Sequence, residues 1–428
     1  MEIYNYKNLS AIQLKELCQR NSITDLRINK TVSEILNKVK LEGDAALLEY
    51  SGKFDKAENP KLFIDKMAME ALAVSVTEVQ KQAVETAIAN ISAFHKAQLK
   101  VEDKVETTPG VVCWREARAI EKVGLYVPGG SAVLPSTFLM LAIPAKIAGC
   151  NEIVVCSPPQ SNGSINAYLA YCALSLGIDR IYTVGGAQAI AAMAYGTETI
   201  PKVDKVFGPG NRFVTNAKSM LQGMGQIAID MPAGPSEVLV IGAEGSNPAY
   251  IAADLLSQAE HGADSQAVLV SSSSDLIYRV NLEIQDQLVK LDRNEILEKA
   301  LENSFMIKVN TLEEAIEFSN AYAPEHLIIS VENCDHLLPL ISNAGSVFLG
   351  PYTPEAAGDY ASGTNHTLPT SGYAKTYSGV SVDSFIKKIT FQKISQEGIR
   401  TLGGTIEILA EMEGLMAHKN AVSIRLKN

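Results

Sequence analysis

The run "SEVLVIGAEG" at 236–245 is followed by "AYIAADLLSQAE" at 249–260 and "QAVLVSSS" at 266–273. A short branched apolar run, a glycine turn, a helical pattern and a second apolar run make a strand–helix–strand unit. That order belongs to parallel sheets, whose neighbouring strands need a long crossover between them. The same texture starts after Pro109. VGLYVPGG, EIVVCSPP, RIYTVGG, KVDKVFGPG, SFMIKVN, HLIIS and SVFLG alternate with helical stretches such as AYLAYCALSL, QAIAAMAYG, RFVTNAKSML and LEEAIEFSNAY. These are too many strands for one sheet of ordinary size. The expectation is therefore an α/β chain with two parallel sheets, each covered on both faces, and a break near Ala233–Ser236.

The flanks read differently. Residues 1–25 look like an arm with a short helix, 26–110 are strongly helical, and from about 381 the chain turns mixed and then helical. We assign 1–25 as the arm, 26–110 with 235–380 as one domain, 111–234 as the other, and 381–428 as a tail.

Composition narrows the function. The 428 residues are 46% hydrophobic and 20% charged, with a formal net charge of −11. That charge argues against nucleic acid as a partner, because phosphate recognition needs a basic surface. No apolar run approaches the roughly 18 residues of a membrane span. The start, MEIYNYKNLSAIQLKEL, lacks the features of a secretion signal, so a cytoplasmic protein with no membrane partner is expected. The six cysteines are scattered and form no CxxC pair. They read as small buried thiols in a reducing compartment, not nucleophiles.

Polar chemistry collects in a few segments. In "LLSQAEHGADSQ", Gln258 and His261 are three apart near a helix end, on one face. "AAGDYASGTNHTLPTSG" places Asp359 and His366 in a segment too polar for a core, and "EMEGLMAHKNA" carries Glu413 and His418. On one ideal helix the last two would point about 140° apart. In "NAYAPEHLIISVEN", Glu325 and His326 stand together at a helix-to-strand junction. His95 is expected on a helix surface and His336 in the first turn of a helix.

A histidine, carboxylate and amide set suits zinc, although no compact metal signature is present. Glu325-His326 suits proton transfer at neutral pH; the bland alternative is a helix-end carboxylate beside a core histidine. The glycine turns 128–130, 185–186 and 208–210 fall at strand ends, where ligands of open α/β sheets gather. A complete GxGxxG fingerprint is missing, since GPGNRF has Phe213 at the third position.

Taken jointly, GLYVPGG, VGGAQAIAA, KVFGPGN, DMPAGPSEVLV, DLLSQAEHG, PEHL, GSVFLG, AGDYASGTNH, LPT and AHKNAV resemble the histidinol dehydrogenases, in order and over nearly the whole chain. The resemblance implies two incomplete Rossmann-like domains with parallel sheets, a small N-terminal arm and a C-terminal helical tail, in a domain-swapped homodimer with shared active sites. It implies NAD-dependent oxidation of L-histidinol through the aldehyde to L-histidine. It further implies one zinc per subunit on Gln258, His261, Asp359 and His418, with Glu325 and His326 as the acid–base pair. Ser236, Glu413 and His366 then face the substrate, alongside the zinc ligands and His326, and Tyr126, Gln188 and Asn211 touch NAD. Two alternatives stand beside this reading: a zinc metallohydrolase of an imidazole-containing substrate, and a non-catalytic module that binds NAD or imidazole.

Overall fold

The apolar runs pair as their pattern predicts, but the sheets recruit strands from distant parts of the chain. The computed structural model describes residues 1–20, 26–57, 60–129, 134–232 and 234–427. Among these, one six-stranded parallel sheet runs Glu2–Asn5, Phe305–Lys308, Gln266–Ser271, Glu237–Gly242, His326–Ser330, Ser346–Leu349 from edge to edge. The other runs Phe63–Asp65, Arg180–Tyr182, Glu152–Cys156, Lys122–Tyr126, Lys205–Phe207, Ala228–Ile229, with Phe63–Asp65 antiparallel. Each sheet reverses its strand order beside a central strand. Glu237–Gly242 lies between Gln266–Ser271 and His326–Ser330, and Lys122–Tyr126 lies between Glu152–Cys156 and Lys205–Phe207.

Helices cover both faces, which is why these strands read as continuous apolar runs. Val238 and Val240 pack with Ile251 and Leu255 on one face; Leu239 and Ile241 pack with Phe318 and Tyr322 on the other. The two sets alternate along one strand, as a period of two requires.

Three expectations about the flanks need correction. Residues 26–110 do not join 235–380. Val32, Leu36 and Val39 of Leu26–Glu42 share a core with Ile190 and Met193, and Ile91 of Glu78–Lys96 packs with Phe138 and Leu141. An amphipathic pattern shows that a helix has a buried face, but not which sheet receives it. The arm, in turn, supplies an edge strand, with Glu2 to Asn5 paired to Phe305 to Lys308. His95 is fully buried, because Ala87, Ile91 and His95 continue one stripe at a spacing of four. Its Nδ1 lies 2.8 Å from Ile91 O and its Nε2 3.4 Å from Asn365 Nδ2. His336 is exposed in the short 3₁₀ helix Cys334–Leu340.

The tail begins with Ile386–Ile394, which pairs antiparallel with Val111–Ala119, itself paired with Val105–Thr108. Helices Gln396–Met412 and Met416–Leu426 follow, and Ile408, Leu409, Met412, Met416 and Ile424 are exposed on them. The expected domain break includes Ala233, and the first glycine turn includes Gly130; both residues lie outside those described.

One buried ion pair shapes the turn after Lys205–Phe207. Lys218 faces Asp230, Lys218 Nζ donates to Gly208 O at 2.9 Å, and Asp230 Oδ2 accepts from Gly208 N at 2.8 Å. Gly208 has φ +122°, and a Cβ there would lie 2.1 Å from Tyr126 O, so the turn requires glycine. Lys218→Met leaves the Asp230 carboxylate buried without its cation. Urea unfolding should record a loss of about 3–5 kcal/mol; an unchanged midpoint would show that the pair does not hold this turn.

Candidate active site

Three of the expected functional residues, Ser236, Glu325 and His366, line a cleft between the two sheets. Gly208, Pro209 and Met231, at the carboxyl edge of the second sheet, line it together with Ser236, Glu325, His366 and Thr370. The carboxyl-end expectation therefore holds for one sheet and is corrected for the other. Glu237 and His326 open their strands, so the first sheet presents its amino edge. The geometry follows from how helix Leu312–Tyr322 stops. Ala323 takes a left-handed φ of +53° and Pro324 then blocks helix continuation, which turns Glu325 into the start of the strand. Glu325 O accepts from Ser346 N at 2.9 Å and fixes that start in the ladder.

Both members of the Glu325–His326 pair are buried. Glu325 Oε2 accepts from Glu237 N at 2.9 Å. His326 Nδ1 lies 3.3 Å from Glu237 O and 3.7 Å from both Glu325 Oε2 and Glu355 Oε1. Its Nε2 is 3.6 Å from Asp359 Oδ1, is shut off from solvent and has no hydrogen-bond partner among the described residues. Burial pushes Glu325 up to about 8, against the pull of His326. Burial alone would push His326 down, but the carboxylates of Glu355, Glu325 and Asp359 outweigh it and lift the imidazole to about 10. Burial likewise works against charge on Asp359, and His326 beside it wins and holds that carboxyl low. Burial raises Glu355 well above the usual carboxylate range.

These groups fit a divalent cation. Donor atoms of His261, Glu355 and Asp359 all lie within 4.8 Å of one another. The Gln258 side chain abuts Glu355. With its amide turned to satisfy both neighbours, Nε2 donates to Glu355 Oε2 at 3.0 Å and Oε1 accepts from Glu237 N at 3.2 Å. In the opposite orientation an amide oxygen would face the Glu355 carboxyl, an arrangement that needs a cation or a proton between them. A nitrogen with carboxylate and amide oxygens is a donor set suited to zinc. Gln258 ends helix Pro248–Ala259 and His261 lies just beyond it, where the negative end of the helix dipole favours positive charge.

Glu355 and Glu237 escape the sequence reading. Glu355 stands four residues before Asp359, and that spacing within helix Glu355–Tyr360 was the available signal. Glu237 had none, since it occurs within a strand pattern. His366 is tied in from two sides, with Nδ1 2.9 Å from Asp359 O and Nε2 3.0 Å from Thr137 Oγ1.

Comparison with known proteins accords with this geometry. The family model described as histidinol dehydrogenase matches residues 18–426. The chain belongs to the histidinol dehydrogenase family. A histidinol dehydrogenase of Bacteroides thetaiotaomicron is 54% identical over 414 residues, covering 97% of this chain and 96% of the relative. The chloroplastic histidinol dehydrogenase of Arabidopsis thaliana is 52% identical, covering 100% of this chain and 92% of that one. The crystal structure of histidinol dehydrogenase from Elizabethkingia anophelis superposes with a TM-score of 0.96 at 50% identity, covering 100% of this chain and 98% of that one. Members of this family are NAD-dependent oxidoreductases acting on a CH–OH group, and the metallohydrolase alternative gains no support.

The remaining expected residues divide in two. Tyr126, Gln188 and Asn211 gather at the carboxyl edge of the second sheet. Tyr126 OH accepts from Gly186 N at 3.1 Å, burial pushes that phenol up to about 12, and Gln188 is buried one turn into helix Gly186–Tyr195. Asn211 caps helix Arg212–Gly223 through Phe213 N and Val214 N. Glu413 and His418, in contrast, are exposed on the tail and outside the donor cluster. Nor do they share a helix. Gly414, at φ +73°, breaks the chain between Gln396–Met412 and Met416–Leu426. The described cysteines are all free; burial drives Cys150 up to about 11 and Cys172 to about 12, far from a thiolate.

The charge arrangement makes a direct forecast. The carboxylates alone keep His326 protonated at neutral pH, and a divalent cation on Asp359 and Glu355 would cancel much of their pull. Titration of the His326 imidazole by NMR should therefore show its pKa falling by more than about one unit on zinc loading. A titration curve that zinc does not move would exclude binding among these residues.

Proposed function

We propose that this chain oxidises L-histidinol to the aldehyde and then to L-histidine, reducing NAD at each step. It would work in the cytoplasm as a domain-swapped homodimer of two incomplete Rossmann-like domains. The observation that carries the residue assignment is the buried Glu325–His326 pair beside the His261, Glu355 and Asp359 donors. Gln258, His261 and Asp359 would hold one zinc together with His418 of the partner subunit. The exposed tail supports that sharing, since it carries His418 and an apolar surface away from its own cleft.

Zinc, when bound, supplies a Lewis acid that fixes the substrate imidazole and amine, while NAD supplies the hydride acceptor. The protein's own groups move the protons. His326 takes the hydroxyl proton as the alcohol carbon loses hydride. Burial strengthens the proton affinity of the Glu325 carboxylate, and in its ionised form it would take a proton from the water that adds to the aldehyde. Once it has released that first proton to solvent, His326 would take a proton from the hydrated aldehyde as the second hydride leaves. The route needs no thiol, in keeping with the raised thiols of Cys150 and Cys172. Ser236 lines the cleft and His366 leans on Asp359, which supports a role for both in substrate binding, joined by Glu413 of the partner subunit. Tyr126, Gln188 and Asn211 lie where helices Gly186–Tyr195 and Arg212–Gly223 begin, and such helix starts favour the phosphates of NAD.

Absorbance of reduced cofactor during incubation with L-histidinol tests the reaction. His326→Asn should cut that turnover by roughly two orders of magnitude with zinc content intact. Glu325→Gln should slow oxidation of supplied aldehyde at least as much as oxidation of the alcohol. Near-normal turnover in His326→Asn would remove that histidine from the chemistry.

The shared site has its own test. His261→Ala and His418→Ala homodimers should each be inactive. Unfolding and refolding them together should restore roughly a quarter of sites, because mixed dimers carry both defects in one site and leave the other complete. No recovery, with mixed dimers verified by mass spectrometry, would place His418 outside the partner's site.

A further inference from the structure

Glu237 takes no part in the proton transfers above, yet its peptide touches both groups that do. Its N–H donates to Glu325 Oε2 at 2.9 Å, and its carbonyl lies 3.3 Å from His326 Nδ1. The register explains this. Val238 pairs with His326, so residue 237 sits beside Glu325 where the ladder begins. A strand terminus is where a sheet frays most readily, and something must hold this peptide still.

That something comes from the N-terminal arm. Arg20 Nε donates to Glu237 Oε1 at 2.8 Å and Nη2 to Oε2 at 2.7 Å, a two-pronged grip on one carboxylate. Arg20 Nη1 donates to Cys18 O at 2.8 Å and to Tyr322 O at 2.7 Å, and the guanidinium carbon stands 3.4 Å from the centre of the Tyr322 ring. The same side chain thus holds the helix end that leads into Glu325. Glu237 Oε1 also accepts from Ser371 N at 2.7 Å, next to Thr370 in the cleft wall. Exposure of the two charged side chains is 8% and 1%. Resting on the reading of Glu325 and His326 as the acid–base pair, we propose that Arg20 and Glu237 form a positioning clamp for that pair.

A simple staple for the arm would account for less. The arm is already anchored by its own strand, Glu2–Asn5, and by the packing of Leu14 and Leu17 on the core beneath. A fully buried ion pair adds little net stability compared with apolar neighbours of the same shape, but its fork geometry fixes direction as few other contacts do.

The test uses the full-length, zinc-loaded protein. Arg20→Met keeps an apolar stem over Tyr322 and removes the fork. Its kcat for L-histidinol should fall by about ten- to a hundredfold, as for a small misplacement of catalytic groups. KM and zinc content should stay within about twofold, the pattern of a lost transition-state interaction. Arg20→Lys, with charge but no fork, should recover only part of kcat. Arg20→Met/Glu237→Gln removes the stranded carboxylate, so its melting temperature should climb back towards wild type while kcat stays low. If kcat returned with the melting temperature, or if KM and zinc content moved instead, the clamp would be only a structural tie. Glu325→Gln and His326→Asn serve as reference. Should both turn over normally, the acid–base reading fails and the clamp with it. Should both be crippled while the double variant has full kcat, the clamp alone is wrong.

Discussion

Burying carboxylates around an imidazole is the constraint on which this site depends. Glu325, Glu355 and Asp359 surround His326, and Asp254, pushed up to about 7 by burial, stands one turn before Gln258 on the same helix. Such a group of acids in low dielectric either holds protons or holds cations. With these acids around it, His326 keeps its proton and is a poor base. A divalent cation among the same donors would release it for proton transfer. The proposed metal site and the proposed acid–base pair would therefore form one electrostatic unit, and changing any carboxylate here would alter both.

The two sheets meet this cleft with opposite ends. The first offers strand starts and a helix end, where carbonyls and the helix dipole favour a cation. The second offers strand ends and helix starts, where N–H groups favour an anion. In the proposed reaction a metal-held substrate and a phosphate-bearing cofactor would find suitable fields on facing walls, the arrangement a hydride transfer between them needs. The Lys218–Asp230 pair and Gly208 shape the second wall, as Glu237 and Arg20 shape the first.

The tail belongs to neither wall of its own cleft. Its helices pack on each other and on the small antiparallel sheet, leaving Ile408, Leu409, Met412, Met416 and Ile424 in the open. Contiguous exposed apolar surface marks an interaction site. A second copy of the chain is the occupant that would also bring Glu413 and His418 to a cleft.

By itself, the sequence determined the α/β class, because branched apolar runs alternating with helical periods admit little else. It also determined most of the site by residue type. Gln258, His261, Glu325, His326, Asp359 and His366 were all legible from their polar, irregular contexts, and the family resemblance gave them roles. What it left undecided is long-range. Nothing in the amphipathic pattern of 26–110 says which sheet it covers, and nothing in MEIYN says that it adds an edge strand. Glu237 looks like any residue in a strand, because its importance lies in a peptide facing Glu325 and a side chain facing Arg20. Glu355 likewise gains its meaning from the side chains around it. Periodicity reports which face of an element is buried; only the tertiary structure decides what that face meets.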